Sequence, residues 1–197
     1  MIFKGKTLIA VIQICFMEGI LAITGASGVI YGIKLLENLK GKVHLILSEG
    51  AKKIIKDETN YELDKLNKYA YKVYKNSEMD ASVASGSYPF DYMVICPATV
   101  STISKISVGI QDNLVTRAAA VSLKEKRKLI IVPRETPLTS INLRSMATLS
   151  EEGAVILPAM PAFYHKPKNI DEIIDFIVGR VLDQVGIENN LFKRWGT

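Results

Sequence analysis

Cysteine and histidine are scarce in this chain of 197 residues, and their scarcity limits the chemistry open to it. The two cysteines, Cys15 and Cys96, and the two histidines, His44 and His165, are each isolated in the sequence. No CxxC pair or zinc-type spacing occurs, so a metal site built from side chains is not expected. Both cysteines lie in apolar runs, which favours buried free thiols over a disulfide.

The sequence also lacks a block of basic residues, an internal repeat and a low-complexity tract. Its net charge of +5 comes from lysines and arginines spread along the chain, so nucleic acid is not an expected partner. The first apolar stretch, in MIFKGKTLIAVIQICF, is too short to span a bilayer, and no signal-peptide cleavage site follows it. We therefore expect a cytoplasmic protein with residues 1–18 as an N-terminal extension, in which Met17 is an alternative start. Residues 19–197 are expected to form a single domain.

Short apolar segments alternate with amphipathic ones along the rest of the chain. Continuous apolar runs predict buried parallel strands at 20–24, 43–48, 92–97, 128–133 and 154–158. Apolar residues at helical spacing predict helices at 28–40, 49–58, 99–108, 112–126, 138–151 and 170–186. The region 59–90 is polar and irregular, with a short strand at YKVY. The alternation indicates an α/β fold with a doubly wound parallel sheet, helices on both faces and ligands at the carboxyl ends of the strands.

The first strand leads into the glycine-rich turn ITGASGVIYG, residues 23–32. Gly25 permits a tight turn, Ser27 offers a hydroxyl and an amide, and the N-terminus of the next helix attracts an anion. The spacing is GxxGxxxG rather than the dinucleotide pattern GxGxxG, although Glu49 after the second strand leaves a nicotinamide site open. A turn that serves only close helix packing is the alternative, and we favour phosphate binding.

Residues with hydroxyl groups both precede and follow the third predicted strand in the sequence. The segment ASGSYP, residues 84–89, precedes it, and CPATVST, residues 96–102, follows it. Pro97 is predicted to end the strand. The hydroxyls after Pro97 either cap the next helix or bind a flavin ring or phosphate; they belong to Thr99, Ser101 and Thr102.

Charged residues are predicted at the same edge of the sheet. Arg117 and Lys124 are seven residues apart on one helix face, and a buried-side Arg117 would need an anionic partner. Arg134 and Glu135 follow the fourth strand, and Pro137 keeps them in a loop. Glu135 is a candidate general acid/base, with a surface ion pair to Arg134 as the alternative.

A proline-bordered loop, PAMPAFYHKP at residues 158–167, follows the fifth strand. Tyr164 in this loop can donate to a phosphate, whereas His165 is expected to be a solvated loop histidine. Arg180 on the last helix can complete an anion clamp, because guanidinium geometry matches a phosphate.

These segments, in this order, resemble the UbiX/Pad1 family of flavin prenyltransferases. The resemblance runs from about Gly19 to Trp195 and rests on ITGASG, ASGS, DNLVTRAA, LKEKRKLIIVPRETPL, PAFYHKP, RVLDQ and FKRWG. It implies a flavodoxin-like Rossmann three-layer sandwich. It also implies transfer of a dimethylallyl group from dimethylallyl phosphate to N5 and C6 of reduced FMN, without a metal. The product, prenylated FMN, would serve UbiD-type decarboxylases, and the chain would form a homo-oligomer of trimers assembled into a dodecamer, with sites at subunit interfaces and no membrane span.

The resemblance also implies roles for individual residues. FMN contacts would come from Gly25, Ala26, Ser27, Ser48, Thr99, Val100, Ser101, Thr102 and Arg117. The prenyl phosphate would be held by Lys124, Arg134, Tyr164 and Arg180. Glu135 would be the acid/base residue, within a catalytic set that also includes Ser27, Glu58 and Lys124. Trp195 would help to close the site, and the TVST of residues 99–102 departs from the usual family pattern.

A flavin prenyltransferase has two alternatives, a cysteine decarboxylase of the same fold and an accessory flavin subunit. A flavin-dependent cysteine decarboxylase of the same fold would have a catalytic histidine soon after the first strand, and GASGVIYG contains none. An FMN-binding accessory subunit of a decarboxylase would not need the whole set of Lys124, Arg134, Glu135, Tyr164 and Arg180. The flavin prenyltransferase is therefore the favoured function.

Overall fold

A six-stranded parallel sheet, in the order β3-β2-β1-β4-β5-β6, forms the centre of the computed structural model, which describes residues 17–196. The strands are β1 (Glu18–Ile23), β2 (Lys42–Leu47), β3 (Lys72–Lys75), β4 (Tyr92–Ala98), β5 (Lys128–Pro133) and β6 (Val155–Ile156). From β1 the chain builds outward through β2 and β3, and then from β4 in the opposite direction. The boundary between β1 and β4 is therefore the topological switch point, where α/β proteins bind ligands.

Helices cover both faces of this sheet. Within the described residues they are α1 (Val29–Asn38), α2 (Glu49–Glu58), α3 (Leu63–Leu66), α4 (Val100–Ser107), α5 (Leu114–Lys124), α6 (Ser140–Glu151) and α7 (Ile170–Val185). One apolar core lies between the sheet and α1, α2 and α7, and a second lies between the sheet and α4, α5 and α6. This confirms the predicted doubly wound, three-layer α/β architecture.

The predicted elements are all present, with shifted boundaries. The polar region before β4 contains β3, which includes most of the predicted YKVY strand, together with α3 and two 3-10 turns (Asn67–Tyr69 and Ser82–Ala84). The last predicted strand is shorter than expected, because only Val155 and Ile156 pair with β5.

Pro97 does not end β4, contrary to the prediction. The strand continues to Ala98, the Cys96–Pro97 peptide bond is cis, and the pairing with β5 shifts between Ile95 and Ala98. Proline is tolerated at such an irregularity because the ladder there does not require its missing N–H. The carbonyl of Pro97 still forms a backbone hydrogen bond to the end of β1, because it accepts from Thr24 N at 3.2 Å.

Cys96 is a buried free thiol, as predicted, and burial raises its pKa. Cys15 and the predicted N-terminal extension up to residue 16 lie outside the described residues, so the expectations about them stay predictions. Among residues 17–196, no helix has both the length and the apolar character needed to cross a membrane.

A buried polar cluster lies at the amino-terminal edge of the sheet. His44 is 1% exposed, its Nε2 lies 2.7 Å from Glu18 Oε1, and its Nδ1 lies 3.1 Å from Tyr74 Oη. The hydroxyl of Tyr88 also donates to Glu18. Burial acts to raise the pKa of Glu18, but hydrogen bonds from Tyr88 and His44 and the nearby positive charge of Lys42 together lower it. The bond to Glu18 raises the pKa of Tyr88 to about 12.

Glu18→Gln is expected to destabilise the protein by about 1–3 kcal/mol near neutral pH, because the charged acceptor of this cluster is lost. Folding lowers the pKa of Glu18, so the wild-type advantage is complete above the unfolded-state pKa and disappears as the pH falls through the folded-state pKa. Urea unfolding from about pH 7 down to about pH 3 measures this difference. Glu62→Gln, at an exposed site, is the control, and a pH-independent difference for Glu18→Gln would contradict the prediction.

Candidate functional site

Thr24 connects the two loops that leave the switch point. Its side chain is buried, and its Oγ1 donates to Pro97 O at 2.8 Å and accepts from Thr99 N at 2.8 Å. One hydroxyl therefore fixes the turn after β1 relative to the turn after β4. Thr24 was not among the residues predicted for the site, although a hydroxyl that directly ends a buried apolar strand was a signal for it.

Gly25, Ala26 and Ser27 form the turn between β1 and α1. A Cβ on Gly25 would lie 3.0 Å from Gly50 Cα, so glycine allows the turn to approach the start of α2. Gly28 closes the turn with φ 89°, in the left-handed region. Close backbone packing is thus one reason for these glycines, and phosphate binding stays a prediction.

The helices that follow β1, β2 and β4 begin next to one another at this edge of the sheet. Gly28 precedes α1, Ser48 caps α2 by accepting from Ala51 N at 3.0 Å, and Thr99 caps α4 by accepting from Thr102 N at 3.1 Å. Val100, Ser101 and Thr102 form the first turn of α4. The positive ends of three helix dipoles therefore meet beside β1, β2 and β4, which favours an anion there.

Glu58, at the end of α2, contacts the N-terminus of α1. Its Oε2 accepts from Gly28 N at 2.7 Å. The glutamate carried over from the family resemblance is therefore close to the glycine turn, 30 residues away in sequence.

Arg134 joins the loop after β5 to the same turn. Its Nε donates to Ser27 O at 2.9 Å, and its two terminal nitrogens have no protein acceptor among the described residues. Glu135 is exposed, and its Oε1 accepts from Thr136 N at 3.0 Å. Within residues 17–196, Arg134 and Glu135 therefore do not form the salt bridge that was the alternative interpretation.

A cavity of about 260 Å³ lies beside this loop. It is lined by Arg134 and Glu135 together with apolar residues that include Pro133, Met146, Pro158 and Met160. The carboxylate of Glu135 is thus next to a space that a small molecule can enter.

Arg117 and Arg127 hold the loop of residues 84–89 against α5. Arg117 is half-buried, and it donates to Ala84 O at 2.9 Å and to Gln111 Oε1 at 2.6 Å. Neutral oxygens thus accept hydrogen bonds from Nε and Nη1 of Arg117, and the expected anionic partner stays a prediction. Arg127 was not predicted as a site residue. It donates to Gly86 O at 2.7 Å and to Tyr88 O at 2.8 Å.

Lys124 lies at the end of α5 beside the same loop. Its Nζ is 2.9 Å from Glu125 Oε1, and a Cβ on Gly86 would lie 2.8 Å from that Nζ. This geometry places an exposed lysine next to the loop.

Tyr164 and Trp195 are in contact with each other away from the switch-point residues, with ring centroids 5.1 Å apart. His165 stacks on Phe176 at 5.6 Å, and in the described part of the chain its ring nitrogens are buried without a hydrogen-bond partner. The prediction of a solvated loop histidine is therefore wrong, because the aromatic residues around it exclude water. Arg180 is exposed on α7.

The candidate residues thus lie in more than one place. One group surrounds the switch point and includes Gly25–Ser27, Ser48, Glu58, Thr99–Thr102 and Arg134. Arg117 and Lys124 lie beside the loop of residues 84–89. A separate group consists of Tyr164, Arg180 and Trp195, and no hydrogen bond or salt bridge between residues 17–196 joins it to the switch-point group. The same residues contain no cluster of three or more His, Cys, Asp or Glu that could hold a metal ion.

Comparisons with known proteins agree with this geometry. The Flavoprotein family model matches residues 17–182. Flavin prenyltransferase UbiX of Methanocaldococcus jannaschii is 51% identical over 183 residues, which cover 92% of this chain and 100% of the relative. This chain belongs to the UbiX family of flavin prenyltransferases.

Two solved structures of UbiX-family proteins have the same fold as this chain. The crystal structure of AnUbiX (PadA1) in complex with FMN and dimethylallyl pyrophosphate has a TM-score of 0.90 and 40% identity, and covers 92% of this chain and 98% of that one. A dodecameric FMN-dependent Ubix-like decarboxylase from Escherichia coli O157:H7 has a TM-score of 0.88 and 40% identity, and covers 92% and 100%.

Thr24→Val is expected to destabilise the protein by about 1–3 kcal/mol, because the amide of Thr99 loses its acceptor in a buried place. Thr24→Ser keeps the hydroxyl and is the matched control. Chemical denaturation measures the stability, and hydrogen exchange at the Thr99 amide shows whether the two loops separate. Equal stability and equal protection in Thr24→Val and wild type would show that the hydroxyl does not hold the loops together.

Proposed function

We propose that this protein is a flavin prenyltransferase that transfers the dimethylallyl group of dimethylallyl phosphate to N5 and C6 of reduced FMN. The prenylated FMN would then serve UbiD-type decarboxylases. The observation that carries the proposal is the meeting of three helix N-termini with Arg134 at the switch point, with Glu135 beside the adjacent cavity, in a chain 51% identical to a named flavin prenyltransferase.

The switch-point edge suits FMN as the acceptor substrate. Helix N-termini and hydroxyls provide donors for its phosphate, and the small residues of the β1 turn permit a close approach. We assign the FMN contacts to Gly25, Ala26, Ser27, Ser48, Thr99, Val100, Ser101, Thr102 and Arg117. Arg117 would bring positive charge to the flavin, since it is already held beside the loop of residues 84–89.

The donor phosphate is assigned to Lys124, Arg134, Tyr164 and Arg180. Arg134 suits this role because Nε anchors it to Ser27 while both terminal nitrogens keep their hydrogen-bonding capacity. As the allylic C–O bond breaks, positive charge develops on carbon and negative charge on the leaving phosphate. Each charged hydrogen bond to that phosphate contributes about 1.5–3 kcal/mol.

Glu135 is assigned the proton transfer. Bond formation at C6 requires the remaining double bond of the dimethylallyl group to gain a proton and C6 of the flavin to lose one. A carboxyl group beside the cavity can give the first proton and take the second. Only Oε1 of Glu135 accepts a backbone hydrogen bond, so Oε2 is left for the proton. Ser27 and Glu58 at the β1 turn, and Lys124 beside the loop of residues 84–89, complete the proposed catalytic set.

The separation of the residue groups supports a site shared between subunits. Tyr164, Arg180 and Trp195 would complete the site of a neighbouring copy in a trimer, and trimers would assemble into a dodecamer. The Escherichia coli relative is dodecameric. In this chain, large apolar side chains are exposed near the cavity and α6, among them Ile141, Leu143, Met160 and Phe163. Burial of such side chains between copies would be favourable.

Anaerobic incubation with reduced FMN and dimethylallyl phosphate tests the proposal. Mass spectrometry is expected to show FMN with one added dimethylallyl unit, and parallel samples with the diphosphate compare the two donors. Bound but unmodified FMN would indicate an accessory flavin subunit. Decarboxylation of a cysteine peptide by the same preparation would indicate the other enzyme class.

Glu135→Gln is expected to fold and to bind FMN but to form prenylated FMN at least about 100-fold more slowly, because the amide cannot take the proton. The time course of product mass measures the rate. Glu151→Gln, an exposed glutamate at the end of α6, is the matched control. Near-normal turnover by Glu135→Gln would remove this residue from the mechanism.

Arg180→Ala is expected to weaken donor binding by roughly 10- to 150-fold and to leave FMN binding unchanged, because one charged hydrogen bond to the phosphate is lost. Calorimetric titration with each ligand measures both affinities. Arg144→Ala on α6 is the control for loss of an exposed arginine. An equal loss of FMN affinity in Arg180→Ala would place Arg180 at the flavin or in the fold.

A further inference from the structure

The C-terminal segment, residues 189–196, folds back along α7. Asn189 Nδ2 donates to Gly179 O at 3.2 Å and to Asp183 Oδ1 at 3.0 Å. The ring of Phe192 lies 4.9 Å from that of Phe176, and a Cβ on Gly179 would be only 2.6 Å from Phe192. The glycine therefore leaves a notch in α7 that the segment fills.

Asp183 makes a charged contact to the same segment. Arg194 Nη1 donates to Oδ2 at 2.9 Å, and Nη2 donates to Oδ1 at 2.7 Å. The two parallel bonds form the bidentate arrangement that gives an arginine–carboxylate pair its geometric specificity. The bond from Arg194 holds the pKa of Asp183 below its usual range, and the nearby Arg180 acts in the same direction.

Trp195 follows Arg194 directly and is the single tryptophan of the chain. It is 79% exposed, and its described ring contact is the edge-on contact with Tyr164. With so few contacts of its own, Trp195 depends for its position on the residues that hold the segment just before it.

We propose that Asp183 is a positioning residue of the donor site, because its salt bridge to Arg194 keeps Trp195 on Tyr164. The part that concerns the donor rests on the proposed function, in which Tyr164 binds the prenyl phosphate. The docking of the segment on α7 does not rest on it.

The same salt bridge affects Arg180, one helical turn before Asp183. Both carboxylate oxygens of Asp183 are engaged by Arg194, and no salt bridge joins Asp183 to Arg180 in the described part of the chain. Arg180 thus keeps its positive charge for an anion. Loss of Arg194 would leave a carboxylate beside Arg180 that competes with the donor phosphate.

Asp183→Asn neutralises the acidic partner of the salt bridge, and Arg194→Gln neutralises the basic partner. Both variants are made in the full-length chain. The fluorescence anisotropy of Trp195, measured without ligands, is expected to fall in both variants because a released segment moves on the nanosecond timescale. The KM for dimethylallyl phosphate is expected to rise about 3- to 10-fold in Arg194→Gln, which leaves the Asp183 carboxylate beside Arg180, and less in Asp183→Asn, which removes it. In both variants kcat and FMN affinity are expected to stay within about 2-fold of wild type. Asp171→Asn, an exposed aspartate in the first turn of α7, is the matched control.

A charge exchange, Asp183→Arg with Arg194→Asp, is expected to restore part of the anisotropy and of the KM. Wild-type anisotropy in both single variants would overturn the proposal. So would an equal loss of FMN and donor affinity, because that result describes a general loss of structure. If Asp183→Asn does not fold, Arg194→Gln still tests the salt bridge, because Arg194 is exposed.

If the wild type makes no prenylated FMN, the proposed function is wrong but the docking of the segment is not. The anisotropy then still decides whether Asp183 positions Trp195.

Discussion

The candidate site depends on one buried hydroxyl at the switch point. The chain leaves β1 toward one face of the sheet and leaves β4 toward the other, so the two turns have no helix in common. Thr24 joins them by one hydrogen bond to Pro97 and one from Thr99. Arg134 adds a third loop through Ser27, and Glu58 adds the end of α2 through Gly28. Each of these bonds connects elements far apart in sequence, so the shape of the site is a property of the folded sheet.

The sheet itself could be predicted from local patterns. Buried parallel strands are continuous apolar runs, and the helices between them show apolar residues at helical spacing, so strand type and layer order followed from these patterns. The boundaries were less predictable. Pro97 remains inside β4 because the pairing with β5 is irregular there, and nothing in the local sequence reports that irregularity.

The residues of the site were predictable only by type and by position at strand ends. Arg134 and Glu135 were expected in one loop, but the partner of Arg134 is a carbonyl 107 residues away. Arg117 was expected to need an anion, and its bonds to neutral oxygens were not predictable because they depend on the loop that holds Ala84. Asp183 lies in the RVLDQ motif, but its salt bridge was not predictable because it depends on where the chain places Arg194.

The sheet separates two kinds of polar chemistry. The cluster of His44 and Glu18 lies where β1 begins, and Thr24 lies where β1 ends, about 20 Å away along the strand. At ordinary ionic strength the Debye length is about 8–10 Å, so charges this far apart interact weakly where solvent lies between them. A change of protonation in the cluster is therefore expected to act mainly on how firmly the strands are held, and much less on the helix N-termini at the other edge. Acid tolerance and the electrostatics of the switch point are thus expected to respond to different mutations.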